Sequence, residues 1–231
     1  MHCLSCNQII VPEITWSNFI LPDRLSNCCS TCSEKMSLIH DPTCSICGRE
    51  QHSAQKICSD CSRWQANHRM KNLILYNRSV YHYDDFIKSI VARWKYRGDY
   101  QLYQLFTINF QEKFKQYFPK PPKPTYLVPI PLSSERLKHR AFNQAEALAQ
   151  LLPYPSLNIL TRTEGEKQSK KNRKQRIMMK NPFTLNRELP AEAKSVILID
   201  DIYTTGTTLR HAATLIQQAG CEQICSYTLA R

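Results

Sequence analysis

The 231-residue chain has no apolar run approaching the roughly 18–20 residues that a membrane-spanning helix needs, so no such span is expected. Its opening, Met1-His2-Cys3-Leu4-Ser5-Cys6, has no basic stretch followed by an apolar one, so no secretory signal is expected either. A cytoplasmic location is the resulting expectation. There thiols stay reduced, and clustered cysteines more often hold metal than form disulfides. Glycine is scarce, five residues in all, and no G-x-G-x-x-G fingerprint of a dinucleotide site occurs. No Lys follows Gly206, the glycine set among threonines, which excludes a P-loop there. Acidic charge is unevenly missing. Before residue 71 six Lys/Arg balance six Asp/Glu, and afterwards 25 face 13, so the later part carries the whole net charge of +12. Residues 167–180 alone hold seven Lys/Arg and no acid. Such segregation points to a polyanionic ligand or nucleic acid rather than to solubility alone.

Cysteine is plentiful but confined. Nine of eleven fall before residue 62, eight of them in four C-x-x-C units: Cys3 and Cys6, Cys29 and Cys32, Cys44 and Cys47, Cys58 and Cys61. Each unit brings two thiolates to one ion from a tight turn, and two units complete a tetrahedral Zn²⁺ site. Four units therefore predict two structural zinc ions with no open coordination position. Sequential pairing is the natural choice, but interleaved pairing fits the spacing too, and Cys28 competes with Cys29. His2, His40 and His52 read as surface residues before they read as ligands. The zinc-free alternative is a redox module. Few periodic apolar residues lie between the units, so zinc, with about 10–16 kcal/mol of apparent binding energy per site, would hold this segment together. Residues 1–65 form the expected double Cys₄ module, and residues 71–231 the main domain.

In the main domain, residues 73–76 and 79–83 alternate around Asn77-Arg78 and predict a β-hairpin. Asp84-Asp85 opens an amphipathic helix carrying Ile87, Ile90, Val91 and Trp94. A second helix, from about Leu102 to Tyr117, stops at a Pro-rich segment. Residues 126–131 read as a strand, 132–140 as a basic loop, and the residues from Phe142 as a helix. A short strand at 157–160 precedes the basic segment. Val196-Ile197-Leu198-Ile199 then runs into Asp200-Asp201-Ile202-Tyr203-Thr204-Thr205-Gly206-Thr207-Thr208 and a helical period ending near Gly220. The last strand, about residues 223–229, carries Cys225, read like Cys221 as an ordinary buried thiol. Strand, loop and helix recur in an α/β order that calls for a parallel sheet flanked by helices.

The stretch at 196–208 carries the chemistry. Backbone N–H groups at the start of a helix attract an anion, and the hydroxyls of Thr204, Thr205, Thr207 and Thr208 add donors. Gly206 lets the backbone approach the ligand. Asp200 and Asp201 would repel a lone phosphate, yet carboxylates accept bonds from sugar hydroxyls and hold Mg²⁺. A ribose 5-phosphate satisfies both halves. The plainer reading is a strand end with an Asp cap. The stretch resembles, at every position, the phosphoribosyl pyrophosphate (PRPP) motif of type I phosphoribosyltransferases. In a site of that kind the loop at 132–140 should meet pyrophosphate through Arg136, Lys138 and Arg140, unless it is simply solvated. Lys170, Lys171, Arg173, Lys174 and Arg176 would fold over a polyanion or follow a nucleic-acid backbone.

The whole chain resembles the ComF (ComFC) competence-protein family. The resemblance rests on the C-x-x-C units, Trp94-Lys95-Tyr96-Arg97-Gly98-Asp99, Val128-Pro129-Ile130-Pro131-Leu132, Arg136, Arg140-Ala141-Phe142-Asn143-Gln144-Ala145-Glu146, Gln168-Ser169, Arg176, Asn181-Pro182-Phe183 and the PRPP motif. Ala141 stands where the family usually has Gly. The resemblance implies an N-terminal zinc ribbon joined to a type I phosphoribosyltransferase-like domain, and a role in natural transformation. It further implies cytoplasmic handling of incoming single-stranded DNA beside a DEAD-box helicase-like competence protein. Two alternatives stay open: an active phosphoribosyltransferase on a nucleobase or related acceptor, and a module that reads PRPP as a regulatory signal.

Overall fold

A computed structural model describes residues 1–11, 27–51, 56–96, 99–163 and 181–231. The run at 196–199 becomes the middle of strand β5 (Ser195–Ile202), the eight-residue strand that positions everything else. It lies between β6 (Gln223–Ala230) and β2 (Thr125–Pro129), with β1 (Asn77–Tyr81) on the far side of β6, and every pairing is parallel. Ile197 faces one core with Ile199, beside Trp94, Phe110, Phe114 and Tyr227. Val196 and Leu198 face the other, beside Val128, Leu209, Ala213 and Ile216. Alternate residues thus enter opposite cores, which is why the strand reads as an unbroken apolar run.

Helices α3 (Asp85–Tyr96) and α4 (Thr107–Tyr117) cover the first core. Helix α7 (Thr207–Gln218) covers the second and follows β5 by the short loop 203–206. Helix α6 (Gln144–Ala149) is buried along most of its length against β5 and β2. Among the described residues no helix is long and apolar enough to cross a membrane.

Four local expectations are corrected. The hairpin at 73–83 does not form; a single strand, β1, begins at Asn77 and runs parallel to β6. Asn77 is not a turn residue. It is buried, its Nδ2 donates to Cys47 O at 3.2 Å and Ser79 Oγ at 3.0 Å, and its Oδ1 accepts from Ser226 Oγ at 2.9 Å. The second helix divides into a 3₁₀ segment, Tyr100–Leu105, and α4. The tighter turn brings Leu102 and Leu105, three apart, onto one buried face. The strand expected at 157–160 starts three residues later as β3 (Leu160–Arg162), paired antiparallel with β4 (Phe183–Leu185).

The expected basic loop is also a helix, α5 (Ser134–Arg140). Ser133 caps it, its Oγ accepting from Arg136 N at 3.4 Å. Glu135 in the first turn and Lys138, His139 and Arg140 in the last suit the helix dipole. The helix ends on Ala141 in the left-handed region, φ 66°. A non-glycine residue there costs about 1–2 kcal/mol, and glycine loses part of that gain to unfolded-chain entropy. Ala141→Gly should therefore raise stability by about 0.5–1 kcal/mol in denaturant melts. A destabilised variant would contradict this account of the turn.

Candidate functional site

Asp200 and Asp201 sit at the carboxyl end of β5, where a parallel sheet presents its ligands. Thr204, Thr205 and Gly206 form the turn, and Thr207 and Thr208 open α7. Gly206 has φ 75°, and a Cβ there would lie 2.3 Å from Tyr203 Oη and 2.5 Å from Arg210 Nη1. Only glycine fits. Thr205 and Thr207 hydroxyls lie 2.8 Å apart, and Thr207 N donates to Thr205 Oγ1 at 3.4 Å. The turn is thus preformed around its own donors.

The two carboxylates differ. Burial, with the adjacent Asp201, pushes the Asp200 carboxyl up to about 8. Burial opposes ionisation of Asp201 too, yet the Lys95 ammonium paired with it holds its carboxyl below the ordinary range. Lys95 lies in the last turn of α3, so this pair ties the first core to the loop.

A cleft of about 250 Å³ opens in front of these residues, lined by Arg136, Arg140, Asp200, Asp201, Thr204 and Thr208. Lys95, Arg162 and Gln144 line it as well. Lys138 is exposed and does not line it, because on α5 it lies two residues from each arginine and so off their face. Arg140 Nη1 donates to Gln144 Oε1 at 3.1 Å, and its guanidinium lies 5.3 Å from the Tyr96 ring centroid. Gln144 is buried, and its Nε2 has no partner among the described residues. Burial pushes the Arg162 guanidinium down, and Arg136 adds to this, while Asp200 opposes. Lys170, Lys171, Arg173, Lys174, Arg176 and His52 lie outside the described residues.

Lys95, Arg162 and Gln144 line the cleft without a site role in the sequence pattern. Two of them had a signal, since Lys95 and Gln144 lie in runs that carry the family resemblance. Arg162 had none, because only the fold brings the end of β3 to the cleft.

The cysteines gather as two groups, Cys3, Cys6, Cys29 and Cys32, and Cys44, Cys47, Cys58 and Cys61, with all ligand atoms of a group within 4.8 Å of one another. A tetrahedral Zn²⁺ with Zn–S near 2.3 Å requires S–S edges of about 3.8 Å. Cys6 and Cys29 sulfurs are 3.7 Å apart, and those of Cys47 and Cys58 3.5 Å. Backbone N–H groups of Cys29 and Cys58 donate to Cys3 Sγ at 3.4 Å and Cys44 Sγ at 3.3 Å, as thiolate ligands require. Both groups fit structural zinc, with the units taken in sequence. Cys28 belongs to neither group, and burial together with Cys3 pushes its thiol up to about 12. The second group is buried throughout and shares a core with Val128, Leu198 and Ile224.

The chain carries a phosphoribosyl transferase domain, since the family of that description matches residues 104–231. Competence protein ComFC of Bacillus subtilis (strain 168) is 39% identical over 230 residues, covering 99% of this chain and 94% of that protein. ComFC of Streptococcus pneumoniae (strain R6) is 31% identical over 232 residues, covering 100% of both. DNA utilization protein YhgH of Salmonella typhi is 31% identical over 117 residues, about half of either chain. This chain therefore belongs to the ComFC competence-protein family.

Proposed function

We propose that the chain binds PRPP with Mg²⁺ in this cleft and acts in natural transformation, handling incoming single-stranded DNA in the cytoplasm. One observation carries the ligand: an anion-accepting helix start, two adjacent carboxylates and several cationic side chains converge on a single cleft. The 5-phosphate is assigned to the turn at 204–208 and the ribose hydroxyls to Asp200 and Asp201. Pyrophosphate is assigned to Arg136 and Arg140, with Arg162 and Gln144 added to them. The carboxylates suit a hard cation such as Mg²⁺, which would neutralise pyrophosphate charge when bound. PRPP, which spans the cleft, should bind at least tenfold more tightly than ribose 5-phosphate or pyrophosphate alone in competition titrations. Equal affinity for pyrophosphate would contradict the ribose assignment.

The DNA role is supported by the names of the relatives, the charge excess after residue 70 and one surface feature. Tyr96 is 72% exposed beside the Arg140 guanidinium, an arrangement suited to a stacked base and its phosphate. Residues 167–180 are the other proposed contact. Reversing the charge of Lys170, Lys171, Arg173 and Lys174 should weaken single-strand binding at least tenfold. Its salt dependence should flatten by about 0.7 for each phosphate that is no longer neutralised. Unchanged affinity and slope would remove this segment from the DNA surface. The DEAD-box helicase-like partner, and the division into 1–65 and 71–231, are proposed on the family resemblance.

A second reading, phosphoribosyl transfer, is favoured by a second cavity of about 330 Å³ that shares Tyr83, Ile202 and Thr204 with the first. An acceptor there would lie beside the ribose, while Arg136 and Arg140 stabilise the departing pyrophosphate. Pyrophosphate release that depends on an added base or DNA supports it. No release with any acceptor counts against it.

A further inference from the structure

Trp64 connects the second cysteine group to the turn assigned to the ribose phosphate. Helix α2 (Ser59–Gln65) starts from Cys58 and contains Cys61, so two of the four thiols of that group set its first turn. Seven residues do not hold a helix by themselves in water. Trp64 follows Cys61 by three positions and shares its buried side. Its indole N–H donates to Thr205 O at 2.9 Å.

The ring face meets Arg210, whose guanidinium carbon lies 4.4 Å from the ring centroid. Arg210 is only 4% exposed. Its Nη1 donates to Tyr203 Oη at 3.1 Å and Gly206 O at 3.4 Å. Among the described residues no carboxylate pairs with it. The turn is thus held from behind, with the carbonyls of Thr205 and Gly206 tied back by Trp64 and Arg210. Tying them back keeps two negative dipole ends off an anion at the front, and the buried guanidinium adds a positive field there.

We propose that Trp64 is a positioning residue for this turn, so that the second cysteine module, held by its metal, sets the affinity for a phosphorylated ribose. The inference rests on the PRPP reading of the cleft. It is particular to the second group. The first group reaches α3 instead, where Arg93 donates to the carbonyls of Ser5 at 2.6 Å and Leu4 at 3.2 Å. Coupling between two ligands is reciprocal in binding free energy. At equilibrium PRPP must therefore tighten metal binding by the second group, and by the first less.

The test uses the full chain with its zinc. Zinc affinity is measured by equilibrium competition with a chromophoric chelator, with and without PRPP and Mg²⁺, and PRPP affinity by calorimetry. In the unmodified protein PRPP is expected to raise the affinity for one of two zinc ions several-fold. Trp64→Phe keeps a ring for Arg210 but loses the N–H donor, and should bind PRPP about fivefold more weakly at unchanged zinc content. Trp64→Leu loses both and should bind about thirtyfold more weakly, so that Phe partly rescues what Leu removes. PRPP binding with protection of neither zinc, or with Trp64→Phe and Trp64→Leu as tight as the parent, overturns the inference and leaves the cleft assignment standing. No PRPP binding by the unmodified chain overturns both.

Discussion

Asp200→Asn and Asp201→Asn are each expected to weaken PRPP binding by at least about 100-fold while moving stability in opposite directions. The shared loss follows from chemistry, because an amide neither holds Mg²⁺ well nor accepts charge-assisted bonds from two ribose hydroxyls. Two such bonds, at about 1.5–3 kcal/mol each, account for it. The stability changes follow from the two environments. The folded pKa of Asp200, about 8, lies above its ordinary value of 3.8. Its favourable contribution is therefore complete below pH about 4 and lost as pH rises through about 8. Asparagine imitates the protonated form, so the variant should gain on the parent progressively across that window.

Asp201 behaves oppositely. Its pKa is depressed, so its contribution is present above the ordinary carboxylate range and lost as pH falls through the folded value. Its loss leaves Lys95, with a side chain 14% exposed, without its partner. Asp201→Asn should cost about 2–3 kcal/mol at neutral pH. Thermal melts from pH 5 to 9 beside PRPP calorimetry separate the two. Parallel stability changes would refute the assigned environments, and unchanged affinity would refute the site.

Metal loss is expected to divide the cysteine groups. Structural zinc contributes about 10–16 kcal/mol of apparent binding energy, against a total stability near 5–15 kcal/mol for an ordinary domain. Cys44, Cys47, Cys58 and Cys61 are all buried in the core beneath β5. Cys58→Ser should therefore lose one zinc equivalent together with the cooperative thermal transition. Cys6 is exposed. Cys6→Ser should lose the other equivalent and keep the transition, with a lowered midpoint. Metal analysis and circular dichroism measure both. A cooperative melt that survives loss of the second zinc would contradict the placement of that group in the core.

The elements legible in the sequence are those whose signal is local. The run at 196–199 announces a strand buried on both faces, and four of the acids and threonines after it, Asp200, Asp201, Thr204 and Thr208, come together along one cleft. The C-x-x-C units likewise carry their chemistry in their spacing. What escaped was set by distant partners. Ser79 meets Thr228 across 149 positions, so nothing near Asn77 distinguishes a strand parallel to β6 from one arm of a hairpin. Trp64 finds Thr205 across 141 positions. Arg162 joins the cleft only when the end of β3 reaches it. Helix α5 is different, because Ser133, Glu135 and Arg140 do supply a cap and dipole pattern, outweighed in the reading by the density of positive charge.

The central claim is that a ribose 5-phosphate sits at the carboxyl end of β5. A crystal structure of the chain with PRPP and Mg²⁺ tests it most directly. The account predicts the 5-phosphate on the amides and hydroxyls of residues 204–208, the ribose hydroxyls on Asp200 and Asp201, and pyrophosphate toward Arg136 and Arg140. A ligand bound elsewhere, or one whose pyrophosphate occupies the 204–208 turn, would contradict it.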